Sequence, residues 1–167
     1  MTLYMAHNAI LDATTTQQAG QSYAAGLKIA IQLQIPDNQE IRIAEWGWSQ
    51  DASAPTQVEL ATTDAGSTTT SFLTNTIVKH LNDNHARASS LTYTGSGATT
   101  GFGNGAITTN TTLRRLAGLY VPQLFVQQYP LGQFPVVGNA AAENFLQMRV
   151  TTTATVNALA WIVWEEA

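Results

Sequence analysis

The chain has 167 residues, a formal net charge of −4, and 11% charged against 44% hydrophobic residues. That length suits one domain and the apolar content can fill a core, which excludes solvated disorder, while the sparse and negative charge excludes an electrostatic nucleic-acid binder. Without cysteine there is no disulfide or thiolate chemistry, and no apolar run approaches the ~18 residues of a membrane-spanning helix. Residues 1–13 lack a basic stretch leading into an apolar one, so no signal peptide is expected and the cytoplasm is the expected place of assembly. Threonine supplies 24 residues. A β-branched hydroxyl residue suits the exposed face of a strand and disfavours a long helix.

Residues 1–25 are mixed and polar, and no period holds across them. They read as an extended N-terminal arm with room for one short strand, preceding a domain over 26–167. The arm's few large apolar residues could dock on the same chain or on a neighbour. Leu27, Ile29, Ile31, Leu33 and Ile35 alternate with Lys28, Ala30, Gln32 and Gln34. This period of two predicts a strand with all five large residues on the core. Pro36 to Gln39 reads as a turn. Ile41 and Ile43 then begin a strand on one parity, while Trp46 and Trp48 carry the bulk on the other. Either a bulge near Ala44 and Glu45 repairs the phase or both faces are covered. Val58, Leu60 and Thr62 continue the alternation, and Asp64 to Ser67 closes that strand.

Ser71 to Ala88 is compatible with a short helix capped by Ser71 or with a long loop. Five glycines between Gly95 and Gly105 read as a surface loop with Phe102 as its anchor. Leu113 to Val121 is a further strand. The passage from Leu124 to Val137, punctuated by Pro130 and Pro135, belongs at a sheet edge or crossover. Leu146, Met148 and Val150 mark a half-buried strand. In the last strand Val156, Ala158, Ala160, Ile162 and Trp164 share one side, and Leu159, Trp161 and Val163 the other. Apolar on both sides and without internal charge or proline, it belongs in the middle of a sheet. Short strands joined by small turns predict an all-β, antiparallel β-sandwich with long loops, with a jelly roll as the expected topology.

No catalytic motif emerges. His80, Asp83 and His85 do not repeat a zinc spacing and read as a polar loop, as Asn82 and Asn84 beside them indicate. Glu45 and Glu59 form a glycosidase pair only if their strands bring the carboxyls within about 5 to 9.5 Å. The glycine run lacks the GK[ST] ending of a phosphate loop, and no serine sits in a hydrolase elbow. No cofactor, metal or catalytic residue is expected. Trp46, Trp48, Trp161, Trp164, Tyr129 and Phe134 are the candidate interface anchors, because large rings dominate buried contacts. Of Trp161 and Trp164, one is expected under the chain's own cover and the other at an interface. The same tryptophans, beside Thr- and Asn-rich loops, would also suit a carbohydrate-binding module or a viral glycan-binding head.

Three stretches carry a resemblance: IRIAEWGWSQDAS followed by VELATTDAG, the VPQLFVQQYPLGQFPVV crossover, and the closing LQMRVTTTATVNALAWIVWEE hairpin. Their order, over about Ile29 to Glu166, resembles small phage virion proteins regarded as capsid decoration or cement proteins. The resemblance implies a β-sandwich or jelly-roll body on the outer capsid surface, with copies commonly arranged as homotrimers. It implies the major capsid protein as partner, a structural role bracing the shell, and neither nucleic acid nor membrane as ligand.

Overall fold

The computed structural model describes residues 2–8, 20–37, 39–67, 78–80, 89–91, 101–102, 112–121, 123–138 and 143–166. They form an all-β fold of two antiparallel sheets packed together. The strands are β1 (Thr2–His7), β2 (Gln21–Tyr23), β3 (Gly26–Gln34), β4 (Glu40–Gln50), β5 (Thr56–Thr63), β6 (Val78–His80), β7 (Gly101–Phe102), β8 (Thr112–Val121), β9 (Leu124–Gln128), β10 (Val136–Gly138), β11 (Phe145–Thr152) and β12 (Val156–Glu166). The first sheet runs β10-β4-β12-β1-β6, with β9 also on β4 and β2 also on β12. The second runs β7-β3-β11-β5-β8.

The expected central position of the last strand is borne out, since β12 lies between β4 on one side and β1 and β2 on the other. Its inward residues Val156, Ala158, Ala160, Ile162 and Trp164 are buried. The bulge in β4 is also borne out. Val163 pairs with Glu45 and Trp164 with Ile43, so Ala44 is the extra residue. This switch of parity turns Ile41, Ile43, Trp46 and Trp48 all into one core.

A second bulge overturns part of the expectation for β3. Met148 pairs with Ile31 but Arg149 pairs with Ile29, which leaves Ala30 as the extra residue. Ile31, Leu33 and Ile35 face the core as expected. Leu27 and Ile29 are turned to the outer face, opposite Thr151 and Arg149; Leu27 is 42% exposed, whereas Ile29 is fully buried there, as its expected burial required. Strand β11, expected to be half-buried, is buried on both faces over Phe145–Val150 because β3 and β5 flank it and its outer residues are also covered.

Of residues 1–25, read as an arm with one short strand, 2–8 and 20–25 are described, and they hold two strands docked on the same chain. Both β1 and β2 pair with β12, and Tyr4, Ala6 and Tyr23 are buried. The physical reason is hydrogen-bonding demand along an interior strand, which needs partners on both edges. Asn8 bridges the gap between them. It is fully buried, donates to the Tyr23 hydroxyl (2.7 Å) and the Ala158 carbonyl (3.1 Å), and accepts from the Ala160 amide (2.7 Å). Of Ser71 to Ala88, only 78–80 and the backbone-defined pairing of β6 with β1 fall among described residues before Ser89. Of the glycine-rich stretch, only Gly101–Phe102 does, as β7 on β3.

Ile31 is 1% exposed and Leu27 lies outside the core. Ile31→Ala should therefore cost about 2–5 kcal/mol through lost transfer energy and a cavity. Leu27→Ala should cost well under half as much. Chemical denaturation of the two variants measures the contrast.

Candidate functional site

Alternation along β4, β9 and β12 leaves one broad face of the first sheet pointing away from the core. Read across neighbouring strands, one row is Val126, Gly47, Trp161 and His7. The next is Gln128, Glu45, Val163 and Met5. A third holds Leu124, Ser49 and Leu159. Beyond the Ala44 bulge, Val136, Arg42, Glu165 and Leu3 make a fourth. Leu124 is 62% exposed, Val126 and Val136 are exposed, and Leu3, Met5, Leu159 and Trp161 are half-buried.

Trp161 lies at the centre of this face, and two residues hold it. A Cβ on Gly47 would collide with Cε2, Cζ2 and Cη2 of its indole, so the ring lies flat across the strand in the space that glycine leaves. The indole N–H donates to Glu45 Oε1 (2.6 Å). Glu45 Oε2 in turn accepts from Gln128 Nε2 (2.6 Å). One carboxylate thus ties β12, β4 and β9 together on the outside of the sheet. The isolated glycine between two tryptophans was the available signal, because glycine inside a strand often marks a close approach.

The other expected anchors are distributed differently. Trp46, Trp48 and Trp164 are fully buried in the chain's own core. Trp46 packs on Phe125 with centroids 5.0 Å apart, Trp48 on Tyr23 at 5.4 Å, and Trp164 on Tyr4 at 6.0 Å. Each indole N–H has a partner: Tyr129 Oη at 3.4 Å, Gln50 Oε1 at 2.8 Å, and Glu166 Oε1 at 3.1 Å. These three rings have no face for a partner or a sugar, which leaves Trp161 alone of the four tryptophans partly accessible. Tyr129 and Phe134 are half-buried at the edge beyond β9. Burial pushes the Tyr23 phenol far above its usual pKa, against a smaller opposing effect of Asn8.

Glu45 and Glu59 do not form a pair. Glu45 faces outward on the first sheet, and Glu59 faces outward on the second, where it pairs with Arg115 (2.9 Å) and Arg149 (3.2 Å). Packed sheets lie about 10 Å apart, so carboxyls on their opposite outer faces exceed the glycosidase separation. His80 belongs to β6, while Asp83 and His85 lie outside the described residues. Among the described residues no group of three His, Cys, Asp or Glu side chains gathers as for a metal.

The middle of the second sheet's outer face is polar and bonded chiefly within itself, although Arg149 Nη2 has no partner among the described residues, and Leu27 and Tyr120 are exposed in the row beyond it. Gln147 donates to Gln32 (2.7 Å), Arg149 Nε donates to Gln147 (2.9 Å), and Arg149 Nη1 reaches Glu59 and Thr112 Oγ1 (2.8 Å). At the end of the first sheet an open groove of about 540 Å³ runs past Ser49, Asp51 and Asn157. Both Asp51 oxygens accept from Asn157, at 2.9 and 2.7 Å, and these bonds hold the exposed carboxyl below its usual pKa.

Glu166 closes β12. Burial is the largest single influence on it and opposes ionisation. The Ser89 hydroxyl, the Ser90 amide (2.8 Å) and hydroxyl (2.7 Å), and the Trp164 indole together outweigh burial and hold the carboxyl below its usual pKa. Compared with protein-family models, curated proteins and solved structures, the chain matches none.

Two outcomes follow from this geometry. Gly47→Ala should force the Trp161 indole off the sheet and break its bond to Glu45, costing about 1–3 kcal/mol by overpacking. The Trp161 indole N–H resonance should then lose its hydrogen-bonded shift, while those of Trp46, Trp48 and Trp164 stay in place. Glu166, with its pKa depressed in the fold, stabilises the protein above its unfolded value, and that contribution is lost as pH falls through the depressed value. Urea midpoints should therefore decline on acidification below the usual carboxylate range, and the decline should be shallower in Glu166→Gln.

Proposed function

We propose that the chain is a virion structural protein of the capsid decoration type, a non-enzymatic jelly roll that docks on the outer surface of a major capsid shell. The strand order supports the topology. With β1 and β2 taken as one strand position, and β9 and β10 as another, one sheet runs β1/β2-β12-β4-β9/β10 and the other β3-β11-β5-β8. With the short β6 and β7 set aside, the chain crosses between sheets at β2 to β3, β3 to β4, β4 to β5, β8 to β9, β10 to β11 and β11 to β12, and of the remaining strands only β5 and β8 are successive partners within one sheet. This order supports reading the fold as a double Greek-key jelly roll.

The observation that carries the docking role is the outer face around Trp161. A half-buried indole, pre-set by Gly47 and Glu45, shares its face with Leu124, Val126, Leu159 and Met5, interspersed with His7, Ser49 and Gln128. Pre-organised aromatic anchors ringed by apolar residues are where binding energy concentrates at interfaces. An exposed apolar face of this kind marks a contact surface. The low charge of the chain, 11% of residues, suits lasting protein contacts more than solvation.

The proposal places copies as homotrimers on the virion's outer surface, assembled in the host cytoplasm. Light scattering should then give three times the 17.9 kDa chain mass. The protein should cosediment with capsids stripped of it, and Trp161→Ala should fold normally yet lose most of that retention. A strict monomer that leaves such capsids bare would sink the reading.

A further inference from the structure

Next to the docking face is a small cleft whose chemistry is more specific. It measures about 240 Å³ and is lined by Arg42, Gly132, Phe134, Val136 and Glu165. Val136, Arg42 and Glu165 are in-register neighbours on β10, β4 and β12, so their side chains share one face. The remaining wall is a tight turn. The Gln133 amide donates to the Pro130 carbonyl (3.0 Å), and Gly132 takes φ +84°, which is where this turn demands glycine. Leu131 stands at its tip, 78% exposed. From the second sheet, Arg114 pins the β10 wall by donating to the Val136 carbonyl (2.5 Å) and pairing with Glu143 (3.1 Å).

Glu165 Oε2 is buried and, among the described residues, receives no hydrogen bond. A carboxylate oxygen removed from water without a donor is costly. Its cross-strand neighbour Arg42 does not relieve it, as that guanidinium lies against Glu40 at 3.6 Å and is largely exposed. We propose that this cleft is a socket for one cationic side chain, an arginine or lysine, of a partner protein. The charged head would pair with the Glu165 carboxylate, whose Oε2 has no donor of its own, its stem would lie along Val136, and the Phe134 ring would face the cation. The volume fits this assignment, being below the ~300–1,000 Å³ of pockets for whole small molecules.

We assign the donor to a different protein. The chain carries only seven Lys and Arg, and its net charge of −4 sets copies against one another. Among the described basic side chains, Arg149 is buried, Lys28 is half-buried on β3 of the second sheet, Arg114 and Arg115 are paired with Glu143 and Glu59, and Arg42 already lines the cleft. A basic residue on an apolar partner segment could fill the socket while its neighbours cover Leu131 and Trp161. The partner's identity as a capsid subunit rests on the function proposed above. The socket itself rests on the cleft and the orphaned oxygen.

The test uses blocked arginine, N-acetyl-arginine amide, with blocked citrulline as the neutral isostere. NMR titration of the full chain follows the Glu165 carboxyl carbon and the Phe134 ring. Saturable shifts are expected with arginine, weaker by about tenfold or more with citrulline and in Glu165→Gln, since the charged pair is then lost. Phe134→Leu should weaken binding, and Arg42→Ala should strengthen it by removing a like charge. The proposal is overturned by an absence of saturable shifts, by equal binding of citrulline, by an unaffected Glu165→Gln, or by loss of binding in Arg42→Ala. Cosedimentation with stripped capsids separates the two readings. Probe binding without capsid retention would leave the socket and remove the decoration role. Capsid retention with a silent probe would do the reverse.

Discussion

The extra residue at Ala44 is the constraint on which most of this structure depends. Without it, Ile41 and Ile43 could not share a core with Trp46 and Trp48, because a strand sends alternate residues to opposite faces. The same step turns Glu45 and Gly47 outward, where they hold Trp161. It also interrupts the edge. Tyr129 donates to the Ala44 carbonyl (2.9 Å) and the Ile43 amide donates to Pro135 (2.9 Å), so the Pro130–Pro135 stretch leaves the ladder opposite the bulge. That excursion separates β9 from β10 and builds one wall of the Glu165 cleft. Core, indole platform and cleft are three consequences of one added residue.

The two outer faces solve the problem of exposure in opposite ways. On the second sheet, Gln32, Gln147, Arg149, Glu59 and Arg115 bond chiefly to one another, which leaves little for a partner to gain by displacing them. On the first sheet the outward residues are mostly apolar, and the polar group at the centre, Glu45, is used to orient an aromatic ring. Water gains little from such a surface, so covering it is favourable. This asymmetry is why the docking role proposed above is given to the β9-β4-β12-β1 side.

Several polar groups inside the sandwich are satisfied by local geometry. Asn8 fills the gap between β1 and β2 with donors and an acceptor that continue the ladder to β12. Gln50 accepts from Trp48 and donates to the Ala52 and Ala54 carbonyls, fastening the turn that follows β4. Glu166 gathers two serines and an indole around the end of β12. Each lies near a strand end, where backbone groups lose their ladder partners and side chains can replace them.

Much of the fold was legible in the residues. The alternation of Leu27 to Ile35, the parity change between Ile43 and Trp46, and the doubly apolar last strand follow from period two and the need to bury large side chains. The longer strands, the phase change that the Ala44 bulge resolves and the interior place of β12 could therefore be read from the residues. The Ala30 bulge could not, because Leu27 and Ile29 are as apolar as the residues that face the other sheet, and a pattern of identical polarity conceals a change of face. For the same reason the sequence ranked six aromatic residues alike, though Trp46, Trp48 and Trp164 are fully buried and Trp161, Tyr129 and Phe134 are not. Residues 1–25 looked like an arm because strands of six and three residues are too short to display a period, and only the unpaired edge of β12 recruits them. Composition and alternation by themselves determined an all-β sandwich with an under-charged surface. Tertiary structure alone decided which aromatic rings stay accessible and which carboxylate is left without a donor, because both depend on which strands become neighbours.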